Sequence, residues 1–404
     1  MKPNKDGKYV FKSPKYPSLF LPSPQEVAEL LGFPNNAIKL LPLLENHYER
    51  KLNVGRSSRA ALISNGVAKP TVNKLYRWVN HLPIPFKKIM NLPTFLKAFR
   101  AMRVGSNAGL WHSISNGLSA FPHDSELITL CDFIEARSNA DYQMVKAIRS
   151  QIKSGFIDKN DGNAVWLAQL TTWQANSLVP ADQLDFYSRY PQAPDDPMFQ
   201  QEEGINALLE AVYHLNLDFY LAAIAHFEVG LVLYEQRRWG DLDVDNYVGV
   251  FSSVINRWVH EDKQMTCFEA MLVEFKESLG NNGIGWRELS GFIAIDDSGE
   301  SEELLRDRQY NRLKDWRRGV NMPSDLKLRL FVEAAFKSVE GYCPETALIY
   351  FRISKGLDLF VAKQFQIAQY HNAGKIMEKV VAHYPRYFQH YKSMWLNNKL
   401  LTTD

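Results

Sequence analysis

Between Arg50 and Pro122 the chain contains no Asp and no Glu, although its 404 residues include 45 of them. The same stretch holds twelve Lys and Arg, so it carries +12 while the rest of the chain sums to −10, for a net charge of +2. A solvated helical face ordinarily interleaves both signs, so a single-sign block points to an anionic partner. Nucleic acid, anionic lipid, an acidic protein surface and the chain's own acidic half all meet that requirement.

Cysteine is scarce. Cys131, Cys267 and Cys343 lie far apart, with no CxxC and no Cys/His spacing of zinc type. That pattern excludes a disulfide scaffold and a structural zinc site and suits a reducing, cytoplasmic setting. Long apolar runs are lacking too: none approaches the ~20 residues that span a bilayer. The first 24 residues carry five lysines and five prolines but no signal-peptide core. No membrane association is expected.

What the sequence has in quantity is apolar and aromatic residues, 46% and 12%. Those values describe a globular chain, and its length predicts two or three domains. In 202–239 and 344–371 the apolar positions recur every three or four residues, while strand-type alternation is hard to find. The expected fold is all-α and multi-helix. Composition breaks suggest a Lys/Pro-rich arm over 1–22, a basic helical domain over 23–122, a helical middle over 123–190 and a C-terminal helical domain over 198–404. The stretch YPQAPDDP (190–197) reads as a linker. Ser23-Pro24-Gln25-Glu26 predicts a helix start with a capping box.

Within the acid-free block, SRAALISNGVAKPTVNKLYRW (58–78) has a glycine between two helical patterns, followed by Val67, Val72 and Leu75. Gly66 tolerates the positive φ of a tight turn, and the three apolar side chains are placed to pack inward. On these residues the stretch resembles the repressor-type helix-turn-helix family. It departs from that pattern at Leu62, where the family prefers alanine, and at Asn65, where it prefers an apolar residue. The resemblance implies that Lys69, Asn73, Lys74 and Arg77 face DNA from the second helix. Asn suits adenine and Arg or Lys suits guanine on major-groove edges. Arg56, Arg59, Lys87 and Lys88 are assigned to phosphate, with the Lys-rich arm following a groove or the backbone. The plainer alternative is an ordinary helix pair with Trp78 in its core.

A second stretch, Gln309 to Phe336, places Leu313 and Trp316 before Gly319, Pro323 and a new helix start at Ser324. It resembles the end of the recognition helix in Cro/repressor-like domains, though Asp307 stands near where that family has its turn glycine. The resemblance implies that Tyr310, Asn311 and Lys314 face bases while Arg312, Arg317 and Arg318 face phosphate. One long helix capped by Ser301, with Glu302 and Glu303 in its first turn, explains the same residues. NKLYRW (73–78) and NRLKDW (311–316) also echo one another.

No catalytic constellation, cofactor loop or metal site is expected. GNNGIG lacks the glycine order of a dinucleotide loop. DLDVDN (241–246) starts like a calcium loop but has Asn246 for the glycine and Ser252 for the bidentate glutamate. His383 to Tyr391 groups two histidines with four aromatics and reads as a partly exposed helix. The sequence therefore predicts a cytoplasmic nucleic-acid-binding protein, with duplex DNA as first partner and a regulatory role; an enzyme whose site forms only in three dimensions is a further alternative. Its C-terminal helices would mediate oligomerisation or protein contacts. The competing class is a helical scaffold whose basic segment docks on an acidic protein surface.

Overall fold

The computed structural model describes residues 5–8, 19–30, 41, 42, 45, 48–82, 106–109, 111, 112, 126–240, 243–260, 265–280, 283–295, 299, 301–337, 344–367 and 372–400. Among these residues every regular element is helical, so the fold is all-α as the periodicity indicates. By contacts the chain forms two compact units. Unit 1 comprises Met1–Ala28, Phe33–Tyr247 and Arg386–Asp404; unit 2 comprises Glu29–Gly32 and Val248–Pro385. Apart from Glu29–Gly32, the expected arm, basic domain and helical middle fall in unit 1, together with residues 198–247 and 386–404 of the expected C-terminal domain, and YPQAPDDP lies inside that unit.

The first helix, α1 (Pro24–Leu30), opens with the expected capping box: the Ser23 N–H donates to Glu26 Oε2 at 2.6 Å and the Glu26 N–H to Ser23 Oγ at 3.2 Å. Unit 1 continues with α2 (Arg56–Ile63), α3 (Lys69–His81), α4 (Ile128–Lys153), α5 (Gly162–Asn176), α6 (Ala181–Arg189) and α7 (Glu202–Trp239). Helix α7 packs against α4 and α6, and α5 covers the same two. Glu202 and Glu203 in the first turn of α7 and Arg237 and Arg238 in its last oppose the helix dipole, and Gly240 ends it at φ 77°. By length and composition α7 could cross a membrane, but most of it is buried inside the unit. Its buried positions include His214, Asp218, His226 and Glu228, so it reads as a core helix with polar anchors. Gly230 is required where α7 meets the start of α4, since a Cβ there would lie 2.0 Å from the Glu126 carbonyl oxygen.

At the centre of unit 1 the Arg137 guanidinium (α4) is 2% exposed and donates to Asp218 Oδ2 (α7) at 2.5 Å, to the Phe20 carbonyl at 2.9 Å and to the Asn176 carbonyl. Asp218 Oδ1 also accepts the Leu178 N–H at 3.0 Å and the Tyr387 hydroxyl at 2.8 Å. Three donors thus meet this buried carboxylate and offset the cost of taking it out of water. Phe20 and Leu21 are fully buried: Phe20 stacks edge-on with Trp173, Asn107 donates to the Leu21 carbonyl and Trp111 to that of Pro22. The end of the arm is therefore an inserted core segment rather than a free groove follower.

Unit 2 holds α8 (Val250–His260), α9 (Cys267–Ser278), α10 (Trp286–Ser290), α11 (Glu302–Arg317), α12 (Asp325–Phe336), α13 (Pro344–Ile367) and α14 (Ala373–Val381). Helix α9 is its hub, packed against α8, α11 and α13, with Phe275 ringed by Phe331, Phe336 and Phe351. Asp358 of α13 accepts the Cys267 and Phe268 N–H groups at 2.8 and 2.9 Å and so caps the start of α9. Burial nevertheless pushes the Asp358 carboxyl up to about 6.

The last helix, α15 (Tyr384–Leu400), carries the His383–Tyr391 aromatics. Tyr384, Tyr387, Phe388 and Tyr391 are buried while Arg386, Gln389 and His390 are exposed, so the helix is partly exposed as expected, with its aromatic face inward.

Candidate nucleic-acid interface

The α2–α3 stretch forms two helices about a tight turn. Helix α2 starts at Arg56 from Gly55, so Ser57 and Ser58 lie in its first turn and do not cap it. It ends where the Gly66 N–H donates to the Ala61 carbonyl at 2.7 Å, with Gly66 at φ 82°. Pro70 then sits in the first turn of α3, where no N–H is needed. Val67, Val72, Leu75 and Trp78 close on Leu41, Leu52, Leu62 and Leu82 in one cluster, so the inward set read from the sequence is the inward set found. Leu62, the departure from the family pattern, is 2% exposed within this cluster. The Trp78 indole N–H donates to the Arg50 carbonyl at 2.8 Å, which makes this tryptophan a core residue with a satisfied polar edge.

The outer face of α3 is what remains. Lys69, Lys74 and Arg77 are exposed and Asn73 is half-buried. Positions 69, 73 and 77, with 74 beside them, recur at helical spacing and share one side of α3. At the C-terminal end, the Arg50 guanidinium donates to the His81 carbonyl at 2.6 Å and His81 Nδ1 donates to the Arg77 carbonyl at 2.6 Å, satisfying last-turn acceptors.

The other phosphate candidates divide. Arg56 is exposed at the start of α2. Arg59 is not available in the same way: it donates to Glu45 Oε2 and Oε1 at 2.7 and 2.8 Å and to the Val54 carbonyl at 2.9 Å. Glu45 also accepts the Leu52 N–H at 2.5 Å, and the Arg59 hydrogen bonds hold its carboxyl below the usual carboxylate range. Lys87 and Lys88 lie outside the described residues, as does most of the Lys-rich arm.

At the second candidate, α11 runs unbroken from Glu302 to Arg317 with Ser301 as its N-cap, and Asp307 lies mid-helix. The glycine turn that the helix-turn-helix resemblance requires before Leu313 is helix instead. Leu313 and Trp316 are buried at 0% and 1%, Gly319 follows at φ 71°, and Ser324 caps α12. Asn311, Arg312 and Arg318 are exposed. Arg317 is held by Glu269 at 2.7 Å and lies 4.1 Å over the Trp286 ring, so it faces its own chain rather than phosphate. Lys314 lies 4.4 Å over the Tyr310 ring.

The DLDVDN loop holds a cation of the protein's own. The Lys392 ammonium, 4% exposed, donates to the carbonyls of Val244, Asp245 and Tyr247 at 3.0, 2.7 and 3.0 Å. Sequence reasoning missed this contact, the Glu45–Arg59 pair and the cations over Trp286, because each joins residues far apart in the chain, and it missed Lys314 over Tyr310 although the two are one helical turn apart. Comparison of the chain with protein-family models, curated proteins and solved structures gives no match.

Proposed function

We propose that the protein binds nucleic acid, duplex DNA in the first instance, through the outer face of α3, in a regulatory rather than catalytic role. The observation that carries this reading is the sorting of α3 into two faces. Val72, Leu75 and Trp78 are committed to the core, while Lys69, Lys74 and Arg77 stand outside it with Asn73. No acid occurs in the sequence from Arg50 to Pro122 to neutralise that face. Cations of this kind engage phosphates, and Asn, Lys and Arg in one helical row are the side chains that pair with base edges.

The test is equilibrium binding of the full-length protein to mixed-sequence duplex over a salt series. The full chain is used because the segment before α1 is packed into the core of unit 1. Log affinity should fall linearly with log salt, by roughly 0.9 per phosphate contact. Absence of binding at low salt would defeat the reading.

A further inference from the structure

We infer that unit 2 carries a second nucleic-acid surface, built by α9, α10 and α11, whose partner is single-stranded nucleic acid. Two half-buried aromatic rings lie on this surface and each carries two cations. Trp286 has Arg317 at 4.1 Å and Lys276 at 5.6 Å from its ring; Tyr310 has Lys314 at 4.4 Å and Arg287 at 5.3 Å. The pieces come from three helices. Gln309 fixes α11 against the end of α10 by donating to the Gly291 and Ile293 carbonyls, so the juxtaposition is built rather than incidental.

The charge is uneven as well. From Arg306 to Arg318 the sequence holds six basic residues against two acidic ones, and Arg312 and Arg318 are exposed. Of the carboxylates on these helices, Glu269 is taken up by Arg317, Glu274 and Glu277 by Arg257 and Glu302 by Arg306; Asp307 sits 3.8 Å from Arg287, whose side chain is 76% exposed, and Glu288, Glu303 and Asp315 complete the set. Arg317 is taken up between Glu269 and the Trp286 ring, which leaves Arg287 and Lys314 at Tyr310 and Lys276 at Trp286 as the cations that can meet a phosphate.

Cations interleaved with aromatic rings, here Arg287 exposed and Lys276 and Lys314 half-buried, are the arrangement that binds a flexible single strand, its phosphates meeting the cations and its bases the rings. A rigid duplex hides its base faces and cannot use the rings. An acidic peptide would use the cations but gain nothing from the rings. The surface extends the nucleic-acid reading to a second place and does not depend on α3.

The experiment measures fluorescence anisotropy of a labelled oligothymidylate with the full-length protein over a salt series. Arg287→Ala plus Lys314→Ala should weaken binding about tenfold or more and make the log–log salt slope shallower by about 1.4, two lost single-strand contacts. Tyr310→Leu should weaken it about tenfold with the slope unchanged, the signature of a lost stacking platform. Arg287→Ala alone, at an exposed position, should show the same direction should the multiple variant melt early. The proposal is overturned by absence of oligothymidylate binding at low salt, or by unchanged affinity and slope in the folded variants. Displacement of the oligonucleotide by polyglutamate at equal charge overturns it too, since that marks a generic polyanion surface. Single-strand binding that falls with Lys74→Ala plus Arg77→Ala but not with Arg287→Ala plus Lys314→Ala puts the strand on α3; this surface then fails while the α3 reading stands.

Discussion

Arg59 grips both carboxylate oxygens of Glu45, at 2.7 and 2.8 Å, fourteen residues away and just outside the acid-free block. The block is acid-free in sequence but not in space, and among its described cations Arg59 and Arg50 serve the fold. The pair is 14% and 11% exposed, so water screens it little. Glu45→Ala leaves both the guanidinium and the Leu52 N–H without their acceptor, and it should destabilise unit 1 by about 1–3 kcal/mol at neutral pH. Because the Glu45 carboxyl is depressed below 4.5 in the fold, its contribution is full above that value and is lost as pH falls through the folded one. Denaturant titration of both proteins should therefore show their gap closing in acid. A gap that persists at low pH would mean the pair acts by packing alone.

His226 of α7 lies against Phe133 at 4.6 Å and Tyr391 at 4.0 Å between ring centroids, and its Nδ1 accepts the Trp395 indole N–H at 3.2 Å. Burial, with His390 nearby, pushes its imidazolium down to about 3 from the usual 6.5. The unfolded chain then binds the proton more readily than the folded one, so acid favours unfolding from pH 6.5 downward. Relative to His226→Phe, the wild-type protein should lose about 1.4 kcal/mol of stability per pH unit between pH 6 and 4. Urea midpoints at three pH values measure this, and parallel pH curves for the two proteins would refute a neutral buried imidazole.

Asp218 gathers Arg137, Leu178 and Tyr387 from separate parts of unit 1. Its removal strands a buried guanidinium, so Asp218→Ala should cost about 3–5 kcal/mol, whereas Tyr387→Phe deletes a single hydrogen bond and should cost about 1 kcal/mol. Calorimetry of the two variants decides it, and equal losses would show that the hydroxyl matters as much as the ion pair.

Local features of this fold were legible because their physics is local. The Ser23–Glu26 capping box, the Ser301 cap with Glu302 and Glu303, Gly319 after α11 and the buried Trp78 all follow from neighbours within a few residues. The positive φ of Gly66 and the inward Val67, Val72 and Leu75 were legible for the same reason. Arg59 with Glu45, Arg317 with Glu269, Asp218 with Arg137 and Tyr387 were not, because their sequence separations of 14, 48, 81 and 169 leave no periodic trace. Two arginines assigned to phosphate were thereby reassigned to the protein's own carboxylates. Phe20 and Leu21 were hidden by their Lys/Pro-rich surroundings, whose composition reads as an arm although its last residues are core.

The central claim is that the outer face of α3 meets DNA, and the most direct measurement is the affinity of full-length Lys74→Ala plus Arg77→Ala for duplex over a salt series. Both side chains are exposed, so helical content and melting should match the wild type. The account predicts about tenfold or greater loss of affinity, a salt slope shallower by about 1.8 and a relaxed sequence preference. Unchanged affinity, slope and preference in the folded double variant would contradict it.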